Sequence, residues 1–253
     1  MPVCLNSDGE NTMDTLLDLL NNNLMILVAG AAGALVGLLV SHSQIRKIIR
    51  MVGTSTSEIG TLPLDTQVEI VGNADGNAVV HSPITKTPCV LWQIEVQELR
   101  RSGKNSHWVT VYSDKSTAPF DVQDVSGRVL VQPGNRMELL LRTDESRSSG
   151  IFNALDEQTQ AALSEAGINT KGLLNMNKRM RVYERYIEKG DQVYLLGMHV
   201  LQNGKRVMDG NMPLTISDQS ELALLGKFAW QVLLTALVGG VIGVMLYTFF
   251  INR

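Results

Sequence analysis

A chain of 253 residues that is 44% hydrophobic and only 19% charged has room for two helices in lipid and one sizeable folded domain. Its net charge of −3 argues against a dedicated nucleic-acid binder. Two cysteines, Cys4 and Cys89, exclude a disulfide framework, and with four scattered histidines they cannot fill a row of zinc sites.

Residues 1–23 carry Asp8, Glu10, Asp14 and Asp18 without a single Lys or Arg. That is an acidic tail, the opposite of the basic leader of a secretory signal, so the apolar run behind it reads as a retained span and not as a cleaved one. The run from Leu24 to Val40 is entirely apolar and the chain stays uncharged until Arg46, which predicts a first transmembrane helix over residues 24–45. Residues 46–61 follow as a basic juxtamembrane segment, with Arg46, Lys47 and Arg50, and then a small, polar hinge, GTSTSEIGT. Ser55 and Glu58 have the spacing of a capping box over one short helical turn.

Residues 62–226 read as a β-rich domain. Alternation in TQVEIVG, the β-rich run from Cys89 to Leu99, then HWVTVY, GRVLVQP and MELLLR mark strands, with Ser102 to Asn105 turning a hairpin over residues 90–112. Further turns fall at Asn73 to Asn77 and at Ser126 to Gly127. Within this pattern residues 151–166 place Phe152, Leu155, Thr159, Ala162 and Leu163 near one face of an inserted amphipathic helix that Gly167 would cap. Strands return in RVYERYI and QVYLLGMHVLQ around a Lys189–Asp191 turn, Asn203 and Gly204 turn another hairpin, and PLTIS is the last strand. Many short antiparallel strands at this spacing suggest a small barrel or a sandwich.

Residues 227–251 carry no charge after Lys227 and have Trp230, Tyr247, Phe249 and Phe250 near the ends, as expected of a second transmembrane helix. Residues 252–253 form a short tail. The fold class is therefore an α+β membrane protein in which two transmembrane helices flank a β-rich domain. Small residues recur four apart in both spans, Gly33 with Gly37 and Gly239 with Gly243, on faces that let helix backbones approach. They could pair within one chain or between copies in a homo-oligomer.

Basic residues border the middle domain, so the positive-inside tendency puts that domain in the cytoplasm of a multi-pass inner-membrane protein. Two basic groups within the domain, Arg100, Arg101 and Lys104 at a hairpin tip and Lys178, Arg179 and Arg181 before a strand, are candidates, with Arg46, Lys47 and Arg50, for contact with membrane lipid. Their bland reading is a solvated loop. No constellation of catalytic residues stands out. Cys89 behind Pro88 reads as a small buried hydrophobe, His81 has no nucleophile elbow beside it, and His107 and His199 read as structural or solvent-facing. Asp121 and Asp124 are close in sequence, but Asp124 to Gly127 is a turn and not a calcium loop. In a strand, Glu184 and Glu188 would be solvated face residues. No cofactor or metal site is expected.

The order of Thr54 to Gly60, VEIVGNA, HSPITKTPCVLWQIEV, Trp108, PFDVQDVSGRVLVQP and YERYIEKGDQVYLLG resembles the GIDE-type domain, also called BAM for "beside a membrane". The resemblance covers roughly residues 53–226 and takes in the flanking spans. That domain occurs in the RING ubiquitin ligases of the mitochondrial outer membrane, in their chloroplast relatives and in bacterial proteins. A RING needs about eight Cys and His ligands, more than this chain has, so ligase activity is not expected here and an E3 ligase-like component is the alternative reading. The resemblance is to the RING-less prokaryotic members, which implies a non-enzymatic scaffold with a protein partner, for example a LemA-type envelope protein. In the mitochondrial relatives the domain faces the intermembrane space, an implication opposed to that of the basic residues. For a bacterial inner membrane the charges carry the greater weight, since the rule operates there.

Overall fold

The computed structural model describes residues 8–76, 80–172 and 176–251, with side chains from Asn23 onward. Cys4, the first residues of the acidic tail, the end of the expected Asn73–Asn77 turn and residues 252–253 lie outside the described residues. The chain divides into two units: a helical one formed up to Gly53 and from Leu222 onward, and a β-rich one, Thr54–Glu221.

The helical unit is built from α1 (Asp8–Val40), α2 (His42–Val52) and the last helix, α4 (Glu221–Ile251). α1 starts inside the expected acidic tail, because carboxylates are favoured at a helix N-terminus and the stretch has no proline. Both α1, over Asn23–Val40, and α4 are long and apolar enough to cross a membrane. They run antiparallel at glycine contacts. A Cβ placed on Gly33 would overlap the Gly239 carbonyl oxygen, one on Gly37 the Thr235 oxygen, and one on Gly243 the Ala29 oxygen. The small-residue faces therefore pair within one chain, and the face α1 would have offered to another copy is occupied by α4. Leu35, Val36, Leu39, Leu237 and Val241 point outward instead.

Ser41 ends α1. Its hydroxyl donates to the Gly37 oxygen at 3.0 Å and also bonds the Thr235 hydroxyl. The chain then re-enters a helix, so the basic part of the juxtamembrane segment, residues 46–52, is helical. α2 is amphipathic, with Met51 buried, Ile45 and Ile48 half-buried, Arg46 exposed and the Lys47 ammonium 5.2 Å from the Phe228 ring centroid.

The β-rich unit begins at Thr54, not at residue 62, because the supposed hinge is latched to the first strand, β1 (Thr66–Asp75). Gln67 Nε2 donates to Thr54 Oγ1 at 2.9 Å and the Ser57 N–H to the Glu69 oxygen at 2.8 Å. The short turn that follows is a 3-10 helix over Ile59–Thr61, and the Ser55/Glu58 capping box does not form. Its caps come from afar: Asp124 accepts the Ile59 N–H at 2.9 Å and the Ser126 hydroxyl oxygen accepts the Gly60 N–H at 2.9 Å.

β1, β6 (Phe120–Gln123), β7 (Arg128–Gln132), β12 (Lys205–Asp209) and β11 (Gln192–Gln202) pair in that order, and β11 pairs back onto β1 to close a five-stranded barrel. β13 (Leu214–Ser217) and β8 (Met137–Leu140) extend from β11. β1 runs through Asp75 and pairs with Val122 where the sequence placed a turn. Two pairings, β7 with β12 and β8 with β13, are parallel, so the strands are not all antiparallel. Val68, Ile70, Phe120, Val122, Val131, Leu195 and Met208 fill the interior.

A second, four-stranded sheet has the order β5 (Asn105–Lys115), β4 (Leu91–Ser102), β10 (Met180–Ile187) and β9 (Glu145–Ser148). α3 (Glu157–Glu165) covers it, burying Leu163 and, from the preceding loop, Leu155 beside Ile94, Val96, Met180 and Val182. α3 is shorter than expected because Asp156 caps it by accepting the Thr159 N–H at 2.9 Å, while Gly167 at φ +74° ends it in a Schellman turn with Ile168 N–H on the Leu163 oxygen. Phe152, placed by sequence on the inner face, is thus left outside the helix and 99% exposed.

Gly33→Val should strain the helix pair at backbone, at a cost of about 1–3 kcal/mol. Gly240→Ala should be near neutral, its nearest neighbour being 3.4 Å away. Thermal unfolding of the two variants in mild detergent checks the difference.

Candidate functional site

Three polar constellations were not read from the sequence. The first is Glu184. It is fully buried, not a solvated face residue, and its two oxygens accept the Ile84 N–H at 2.6 Å, the Thr85 N–H at 3.1 Å and the Thr85 hydroxyl at 2.7 Å. Ser82, Thr85 and Thr87 bond one another at 2.8 Å per step. The carboxylate so holds the segment between β2 (Val80–His81) and β3 (Pro88–Cys89), including Lys86 in the left-handed region at φ +57°. A buried carboxylate with three donors is an organising group, and removing it leaves those donors unmet.

The second is Glu69 on β1, also buried, which accepts from Thr56 Oγ1 at 2.7 Å and from the Tyr194 hydroxyl at 2.9 Å. Burial raises its pKa, and the two hydroxyls act against that shift. Burial, with the Glu69 carboxyl beside it, also pushes the Tyr194 phenol upward.

The third is a cleft of about 700 Å³ lined by Asp144, Glu188, Asp191, Asp218 and Glu221 together with Tyr186 and Tyr194. Most of its carboxylates serve the fold: Asp218 is held by Arg142 at 3.1 Å, Asp144 accepts the Tyr186 N–H at 2.8 Å, and Asp191 accepts the Glu188 N–H at 2.8 Å.

The residues singled out from sequence fall as follows. Cys89 is buried, and burial first, then the charges of Glu184 and Glu188, push its thiol up to about 11, so it is held as an unreactive thiol. His81 and His107 are exposed, while His199 is buried with Nδ1 2.7 Å from the Pro63 oxygen. Asp121 lies 3.6 Å from Arg128 and does not join Asp124. Among the described residues no group of three His, Cys, Asp or Glu side chains is placed to hold a metal ion. Asp124 closes its turn by accepting the N–H groups of Ile59, Ser126 and Gly127 and the Ser126 hydroxyl. Burial works to raise its pKa, yet these donors together outweigh it and bring the carboxyl down to about 2.

The two basic groups of the domain, separated by some eighty positions in sequence, meet at one end of the four-stranded sheet. Met180 pairs with Glu98, and the Leu99 N–H donates to the Arg179 oxygen at 2.9 Å. Arg100 lies 3.5 Å and Lys178 3.7 Å from the Glu98 carboxylate, whereas Arg101, Lys104 and Arg179 are exposed. Arg181 stacks its guanidinium 4.0 Å from the Trp108 ring centroid. Strand pairing is the signal that joins these groups, and register is not legible in either segment alone. Arg46, Lys47 and Arg50 lie on α2 in the helical unit.

Comparison with protein families, with curated proteins and with solved structures finds no match.

Two outcomes test these assignments. Glu184→Ala should lower the melting temperature by roughly 5–10 °C, as loss of about 3 kcal/mol from a buried acceptor requires, with Glu184→Gln falling between it and the native chain. For Asp124 the folded pKa lies below the unfolded value near ~3.9, so its contribution is complete above that pH and lost as pH falls toward the folded value. Asp124→Asn should therefore be less stable at neutral pH and lose less stability than the native chain as the medium is acidified through that window. Denaturant titrations at stepped pH check this.

Proposed function

We propose that the chain is a membrane-anchored, non-enzymatic interaction protein that presents a GIDE-type domain beside the bilayer. The observation that carries this reading is the pairing, through their glycine faces, of two helices that each contain an uncharged, membrane-length stretch, with leucine and valine side chains left on the outside. A hairpin of that kind needs lipid around it, and a folded unit of its own core hangs between its two strands of chain.

What supports a binding role over a catalytic one is the use made of the reactive groups. Cys89 is buried with its thiol protonated, and Glu184 and Glu69 are consumed in holding a loop and a strand. The order of sequence segments supports the GIDE-type assignment, and a small closed barrel is compatible with it. The reading extends to a bacterial inner membrane with the domain in the cytoplasm, on the charge of Arg46, Lys47, Arg50 and Lys227. Its partner would be another envelope protein, of the LemA type in the resemblance.

The chain should stay with membranes on alkaline extraction. In mild detergent it should bring down a stoichiometric membrane-associated protein, and that recovery should vanish when Thr54–Glu221 is replaced by an unrelated soluble domain between the same helices. Recovery of this chain alone overturns the interaction reading. For orientation, a single cysteine at Asn105, with Cys4 and Cys89 replaced by Ser, should resist an impermeant thiol reagent until the membrane is opened.

A further inference from the structure

The end of the four-stranded sheet that gathers the basic residues also carries an apolar protrusion. β9 runs antiparallel to β10, so the loop leaving β9 at Ser149 emerges beside the start of β10, at the same end of the sheet as the β4–β5 turn. Ser149 N–H donates to the Met180 oxygen at 2.9 Å and Ser149 Oγ to the Lys178 oxygen at 2.7 Å. Beyond it the chain folds on itself: Gly150 N–H meets the Asn153 oxygen at 2.8 Å and Asn153 N–H the Gly150 oxygen at 3.2 Å. This tight turn holds Ile151 and Phe152 outward, 50% and 99% exposed, and Asn177 Nδ2 steadies it on the Ile151 oxygen at 3.4 Å. Met176, adjacent in sequence to Asn177, is likewise 50% exposed.

Ile151, Phe152 and Met176 put three apolar side chains in water at this end of the sheet, area whose burial would be favourable. Lys178 and Arg179 lead into β10 next to the Ser149 bonds, Arg100 lies 3.5 Å and Lys178 3.7 Å from the Glu98 carboxylate, and Arg101 and Lys104 lie further along the β4–β5 hairpin at the same end of the sheet. An apolar wedge beside lysine and arginine complements an anionic lipid surface, where the ring enters below the headgroups and the cations meet the phosphates. A base-stacking role is disfavoured because the aromatic face available at this end of β5, Trp108, is already covered by Arg181.

We infer that the Ile151–Phe152 turn with its basic rim is a bilayer-docking element, which inserts Phe152 into the anionic surface of the membrane that holds the two apolar helices. The inference rests on the membrane-anchored reading above. Tethering keeps the element at high local concentration near that surface, so weak, salt-sensitive docking suffices.

The test uses the full chain with Cys4→Ser and Cys89→Ala and a single cysteine at Asn153, labelled with an environment-sensitive nitrobenzoxadiazole dye and reconstituted into nanodiscs. Phe152 is left in place. In discs containing phosphatidylglycerol the emission should rise roughly two-fold or more over discs of phosphatidylcholine alone, shift to the blue, and fall back in high salt. Phe152→Asp, or Arg100→Glu with Arg101→Glu, should abolish the rise. The same dye on Val125→Cys, an equally exposed apolar position next to Asp124, should not respond to lipid charge. A dim Asn153 probe in both kinds of disc, with the chain incorporated, overturns the docking element. So does loss of a protein partner on Phe152→Asp without any lipid response. A chain that stays out of the discs overturns the anchored reading itself, and this one with it.

Discussion

The β-rich unit depends on the closure of β11 onto β1. Eight successive residue pairs, from Thr66 with His199 to Asn73 with Gln192, join the strand that begins the domain to one near its end. Without that ladder the remaining barrel strands would form an open sheet with two bare edges. The pairing also sets Glu69 and Tyr194 near each other in the closed wall, where they bond at 2.9 Å, and it carries Thr56 and the segment before β1 into the domain through the same carboxylate. β11 then serves three neighbours, β1 on one edge and β12 and β13 on the other, which is why its residues are buried almost continuously from Val193 to Gly197.

The second sheet solves a different problem. Its strands β4 and β5 are long and α3 with the loops covers one face, while its ends carry polar and charged groups. Glu184 ties the 82–87 segment across β10, and its cost as a buried charge is offset by three donors that would otherwise be unmet. The sheet's far end has no comparable closure. The hairpin turn at Gly103, the loop after β9 and the approach to β10 all reach solvent there, and it is in this place that basic and apolar side chains are concentrated. A stable interior and a basic, partly apolar rim thus arise from one topology.

In the helical unit the constraint is backbone proximity. Glycines at 33, 37, 239 and 243 bring carbonyl oxygens of one helix against Cα positions of the other, a geometry that favours dispersion and weak Cα–H···O contacts. Ser41 and Thr235 close the end of this seam. The seam is used up within the chain, so its outer surface is left to leucine, valine and isoleucine.

By itself the sequence determined the two apolar helices, the hairpin at Ser102–Asn105, the strand patterns of β1, β4, β5, β7, β10 and β11, and the Gly167 and Asn203–Gly204 turns. Each rests on a local cause: a run of uncharged residues, a period of two, or a backbone conformation that glycine or asparagine supplies. Only the tertiary structure decided which strands pair. β6 and β9 are four residues long, and the parallel partners of β7 and β8 lie some seventy-five residues away, so no local pattern marks them. The same holds for the helix start at Glu157, where the Asp156 cap overrode an apolar periodicity that had placed Phe152 inside. Glu184 and Glu69 could not be told from surface carboxylates, because burial of a charge is decided by donors that arrive from residues a hundred or more positions away. The basic rim likewise exists only because strand register sets Glu98 against Met180, a relation between segments that neither segment encodes alone.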